Sequence, residues 1–184
     1  MRLSANDVKL MREATIVDGY NLIFFRLQGK APGKEFDMAH ARDRLLNQLA
    51  QYAALTGVDV VVVFDAYRVK GGKGSVEQRD DVTVIFTAEG EAADTVIERL
   101  AAQLAGSFTV SVVTADRAEQ RMVLGHGALR IPPREFDAMV AEVIQRYRNQ
   151  ESVSSRPGDD SVESRLTGGI RKIMAKWRLD KGRI

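Results

Sequence analysis

The sequence predicts an α/β fold, a three-layer sandwich with a mainly parallel central sheet. Three observations carry this. Short runs rich in β-branched residues alternate with stretches of helical periodicity. The run Val58-Asp59-Val60-Val61-Val62-Val63-Phe64 is almost unbroken in apolar character, as in a strand buried on both faces. Several runs stop at or near an aspartate, beginning with Thr15-Ile16-Val17-Asp18-Gly19-Tyr20-Asn21.

The elements follow in order. Residues 1–14 read as a lead-in and residues 15–18 as the first strand, which ends abruptly in a turn. A Gly- and Lys-rich loop covers residues 28–35. From Asp37 to Leu55, Ala41, Leu45, Leu46, Leu49 and Ala53 recur at three- and four-residue spacing, and Thr56-Gly57 closes that helix. Residues 58–64 form the second strand, and Asp65 follows it. Next comes a basic glycine-rich loop, Tyr67-Arg68-Val69-Lys70-Gly71-Gly72-Lys73-Gly74. Residues 82–87 give a third strand, Ala88 to Gly90 a turn, and Glu91 to Ala105 a helix. Residues 108–114 give a fourth strand, with Asp116 after it. A helix is expected from Arg117 to Leu124, broken by Gly125-His126-Gly127. Leu129 to Ile131 suits a short edge strand, and Pro132-Pro133 opens a helix over Arg134–Arg148.

The domain therefore spans residues 15–150. Residues 151–184 form a polar linker containing Pro157-Gly158 and a basic tail with Arg165, Arg171, Lys172, Lys176, Arg178, Lys181 and Arg183. At 184 residues, with 45% hydrophobic residues, the chain has ample material for a core. No run approaches the ~18 apolar residues of a membrane span. The opening residues carry both charge signs and no apolar block, unlike a secretory signal. The chain contains no cysteine, which rules out disulfides and thiolate metal sites and fits a cytoplasm of bacterial type. A net charge of +2 does not by itself argue for a nucleic-acid partner; the clustering of that charge does.

Chemistry in an open parallel sheet sits beyond the carboxyl ends of the strands. Asp18 and Asp116 follow strands, and Asp94 falls in the first turn of a helix. Glu91 precedes Asp94 by three residues, and Glu119 follows Asp116 by three, spacings that share a helix side. Up to five carboxylates would meet if these loops share one edge. Like charges at close range raise one another's pKa unless a cation intervenes. Hard oxygen ligands suit Mg²⁺ or Mn²⁺, and a chain with two histidines and no thiols offers little to zinc. Asn21 would position a phosphate or a water. Each aspartate also has a plainer role as turn former or N-cap, and Asp65 is open between orienting a ligand and capping. Arg68, Lys70 and Lys73 would neutralise a phosphate backbone, with Tyr67 stacking on an unpaired base. A mobile, solvated loop is the alternative. The basic tail would contact RNA with Trp177 as a stacking or docking anchor, or is an ordinary basic terminal extension.

Five motifs occur in series: Ile16-Val17-Asp18-Gly19-Tyr20-Asn21, Val63-Phe64-Asp65-Ala66, the Tyr67–Gly74 loop, Gly90-Glu91-Ala92-Ala93-Asp94 and Val113-Thr114-Ala115-Asp116. Together they resemble the YacP-like branch of the NYN domains, relatives of the PIN-domain ribonucleases, over residues 15–148. The resemblance implies a PIN-like fold and metal-dependent endoribonuclease activity on single-stranded RNA, with messenger RNA on the ribosome as target. It implies Asp18, Asp94 and Asp116 as metal-binding acids and Glu91 as a further one. The family often has Thr-Ser-Asp where this chain has Thr114-Ala115-Asp116, so a hydroxyl is missing. A catalytically weak RNA- or ribosome-binding adaptor is the competing function. A haloacid-dehalogenase phosphatase needs Asp-x-Asp after the first strand, and Tyr20 takes the second position. A phosphate receiver domain would need a lysine after the last strand.

Overall fold

In a computed structural model of the chain, the structure describes residues 12–27, 37–65, 72–115 and 127–153. The expected helix over Arg117–Leu124 and the tail beyond residue 153 lie outside them. Strand β1 is Arg12–Asp18, followed by helices α1, Gly19–Arg26, and α2, Met38–Thr56. Strand β2 is Asp59–Phe64, and β3, Ser75–Arg79, pairs with β4, Val82–Phe86. Helix α3 is Ala93–Leu104, β5 is Phe108–Val113, β6 is Leu129–Ile131, and α4 is Pro133–Val153. Strand β1 thus begins inside the expected lead-in, and α4 runs past the expected domain end at residue 150.

Among the described residues these strands make one six-stranded sheet of order β3-β4-β2-β1-β5-β6. Every pairing is parallel except β3 with β4. The mainly parallel sheet is as the sequence predicts. Two elements were not legible. Helix α1 stands where a bare turn was expected, because Asp18 serves twice: it ends β1, and its Oδ1 accepts the Asn21 N–H at 3.0 Å as the α1 N-cap. Strand β3 is polar and exposed at the sheet edge, so it lacks an apolar pattern.

Successive side chains of a strand point to opposite faces. On one face Ala14, Ile16, Val61, Val63, Ile85, Val110 and Val112 pack against Val96, Ile97, Leu100 and Leu104 of α3. On the other, Val17, Val60, Val62, Phe64 and Val84 pack against α1, α2 and α4 through Leu22, Leu45, Leu49 and Phe136. Helices cover both faces, as a parallel sheet requires. Asp37 caps α2 by accepting the Ala39 and His40 N–H groups at 2.8 and 3.2 Å.

The amino-end edge of the sheet holds an ion pair. Arg12 Nη2 lies 2.9 Å from Oδ2 and 3.1 Å from Oδ1 of Asp59, whose side chain is only 3% exposed. The same guanidinium lies 5.8 Å from the Phe108 ring centre, so it ties β1, β2 and β5 together. Burial raises the Asp59 pKa above its ordinary 3.8, and Arg12 draws it part of the way back. Removing Arg12 would push it further up. The cost of Arg12→Ala is therefore small in acid, where Asp59 is neutral in both folded and unfolded chains, and grows as pH rises through the folded value. We expect a loss of about 1–3 kcal/mol at pH 7 and much less at pH 4, measured by urea unfolding. An equal loss at both would show that Arg12 acts through packing alone.

Candidate active site

Register fixes which side chains meet at the other edge. Asp18 pairs with Val63, Val17 with Val113, and Phe64 with Phe86. The carboxyl ends of β1, β2, β4 and β5 thus lie together. On β1, Ala14 and Ile16 face α3, so strand alternation brings Asp18 to that side as well. Val61 and Val63 on β2 do the same for Asp65. Asp94 is the second residue of α3, after N-cap Ala92, and it stands over the same side of the sheet.

The electrostatics follow from this convergence. The Asp18 pKa is pushed up to about 6, first by burial and then by the negative charges of Asp94 and Asp65. The N–H groups of Asn21 and Tyr20 pull it down in part. Asp94 and Asp65 are both exposed. Two buried threonines, Thr87 and Thr114, close the floor of this edge.

Asn21 ties α1 to the stretch that follows β5. Its Oδ1 accepts the Ala115 N–H at 3.2 Å, which leaves the Nδ2 group as a donor. This contact lies at the topological switch of the sheet, since the chain builds outward from β1 through β2 to β4 and then returns to β5 on the opposite flank. Asp116 itself lies outside the described residues, as does Glu119; the described stretch after β5 ends at Ala115, at the Asn21 contact.

Glu91 sits before α3 rather than on it. Its Oε1 takes Arg99 Nη2 at 2.6 Å and its Oε2 takes the Ala88 N–H at 3.4 Å, so its carboxylate braces the turn that leads into α3. Among the described residues no three His, Cys, Asp or Glu side chains form a group able to hold a metal ion. Of the five acids in the expected cluster, Asp116 and Glu119 lie outside the described residues; within them, the charges of Asp94 and Asp65 are felt at Asp18.

Tyr67, Arg68 and Lys70 lie outside the described residues, but both flanks of their loop are fixed. Asp65 follows β2 at this edge. The Gly72 carbonyl accepts the Glu89 N–H at 2.9 Å, and Ser75 pairs with Phe86. Gly74, at φ +70°, lets the chain pass the Phe86 carbonyl, which a Cβ would approach to 3.0 Å. Lys73 beside it is exposed. Among the described residues no helix is long and apolar enough to cross a membrane.

Comparison with known proteins bears on the family and the fold. The YacP-like NYN domain matches residues 15–179. The Bacillus subtilis (strain 168) protein YacP is 39% identical over 167 residues, covering 89% of this chain and 95% of its own. The crystal structure of Rae1 (YacP) from Bacillus subtilis superposes with a TM-score of 0.61 at 33% identity, covering 92% of this chain and 86% of that one. A crystal structure of a tryptophan-to-leucine mutant of that protein gives 0.63 at 34%, over 79% and 86%. The family match spans Asp18, Asn21 and Asp94, and a relative 39% identical covers 89% of the chain: the chain belongs to the YacP-like NYN domain family.

Proposed function

We propose that this protein is a metal-dependent endoribonuclease that hydrolyses phosphodiester bonds of single-stranded RNA, with messenger RNA on the ribosome as its substrate. The observation that supports it best is Asp18 at the carboxyl edge of the sheet, where burial and the negative charges of Asp94 and Asp65 raise its pKa to about 6. Carboxylates held this way suit a cation. Their hard oxygens fit Mg²⁺ or Mn²⁺. Asp18 and Asp94 would hold the ion together with Asp116. Glu91, engaged by Arg99, would act from behind by fixing the turn that presents Asp94. A bound divalent ion would activate water and stabilise the leaving oxygen of an in-line displacement. Asn21 Nδ2 would donate to a phosphate oxygen of the strand. Lys73, with Arg68 and Lys70, would neutralise the backbone, and Tyr67 would stack on a base.

The test is direct. Labelled single-stranded RNA is incubated with the protein in Mn²⁺, Mg²⁺ or EDTA. Cutting that needs the metal is expected; binding with no cutting under any metal would support the adaptor instead.

Acidity gives a second handle. Asp18 must lose its proton for a cation to bind, so Mn²⁺ affinity should fall about tenfold per pH unit below pH 6 and level off above it. Calorimetric Mn²⁺ titrations from pH 5 to pH 8 measure this. A flat profile would remove Asp18 from the ligand set.

A further inference from the structure

The outward side of α1 carries two exposed aromatic rings, Phe24 at 43% and Phe25 at 38%. They follow Asn21 by three and four residues, so all three share one side of the helix. Leu22 and Ile23 take the core side. A lone exposed phenylalanine is ordinary. This pair differs in position, order and electrostatic setting.

Its position adjoins Asn21 of the candidate active site. Asn21 touches Ala115 and stands three residues after Asp18, and the helix rise carries the rings about 5 Å further along the axis. Phe24 is also the outermost ring of a fixed series. Phe86 stacks on Phe64 at 5.5 Å, Phe64 meets Tyr20 edge-on at 5.1 Å, and Tyr20 lies 6.3 Å from Phe24. Arg42 secures the middle of that series: its Nη1 donates to Tyr20 Oη at 2.8 Å, and its guanidinium lies 5.9 Å from the Phe86 ring centre. A ring braced in this way loses little freedom when a planar group lands on it. Finally, α1 has no acid in its first turn, and Arg26 at its end is turned to Asp137 and Gln48, away from the two rings.

We propose that Phe24 and Phe25 form a stacking platform for unpaired nucleobases of the RNA strand engaged at Asp18 and Asp94. The platform seats the nucleotides beside the phosphate that is cut. It rests on the nuclease reading above and adds a reason for single-strand preference: in a duplex the base faces are already covered, whereas a single strand offers them to the rings. Two rings are also too small a patch for a stable protein interface.

The experiment uses the full chain in EDTA, where no cutting occurs, and follows binding of fluorescent oligouridine and of a duplex RNA by anisotropy. Phe24→Ala with Phe25→Ala should weaken oligouridine binding about tenfold or more, with duplex binding and salt slope unchanged. Phe24→Trp with Phe25→Trp should restore it. In Mn²⁺, kcat/KM on oligouridine should fall in parallel. The platform is overturned if the alanine variant binds oligouridine like the wild type, or loses both RNAs equally. It is also overturned if only self-association changes in sedimentation. Wild-type protein that neither binds nor cuts oligouridine would defeat the nuclease reading itself; wild-type and alanine proteins that cut it equally would defeat the platform alone.

Discussion

Asp18→Asn is expected to abolish cleavage while making the metal-free protein more stable. The folded chain keeps the Asp18 proton up to about pH 6, whereas the unfolded chain releases it near 3.8. Between these values the folded state binds more protons, so the metal-free protein loses stability as pH rises. The gap corresponds to at most about 3 kcal/mol, fully felt above pH 7. Asparagine removes that charge and keeps an Oδ1 to accept the Asn21 N–H, now 3.0 Å away. Melting of the metal-free variant at pH 8 should therefore rise by several degrees, at about 2–4 °C per kcal/mol for a chain this size. At pH 4 the two proteins should melt together. Saturating Mn²⁺ should reverse the order, since only the wild type gains from binding. Cleavage should drop by more than about a hundredfold, beyond the loss typical of residues that merely support ligands. A variant that melts lower than wild type at pH 8 without metal, or that still cuts, would contradict the role given to Asp18.

Gly19→Ala should produce the largest loss of fold stability. A Cβ at position 19 would fall into the Phe64 ring, 2.6 Å from Cδ1 and 2.8 Å from Cζ. That ring cannot yield easily, being fully buried between Tyr20 and Phe86. Overpacking of this kind costs about 1–3 kcal/mol, and the braced ring argues for the upper end. Because residue 19 follows Asp18, cutting should decline too. Chemical denaturation would register the loss, and Phe64→Leu in the same chain should recover part of it. A double-mutant cycle with no coupling between positions 19 and 64 would refute the contact.

Much of this arrangement can be read from the residues. The valine run of β2 announces a strand covered on both sides, and the aspartates that end β1 and follow β2 mark the candidate edge. Which face each residue takes was hidden for the same reason that β2 was easy to find. A strand buried on both sides shows no apolar contrast between odd and even positions. Only the packing of Val61 and Val63 on α3 reveals that Asp65 joins Asp18. Helix α1 was obscured by its length of eight residues and by Phe24 and Phe25, which keep the run apolar where it faces water. The spacing of Glu91 and Asp94 suggested two ligands on one helix; the helix begins after Glu91, which frees that side chain to reach Arg99.

The strand order also bears on synthesis. β1 is made first, yet one of its two neighbours, β5, arrives about ninety residues later. A nascent chain lacking residues 108–113 leaves a flank of β1 unpaired and has no Ala115 for Asn21 to grip. The first strand is thus enclosed on both sides only after residue 113 has been made, and the Asn21 contact closes after it.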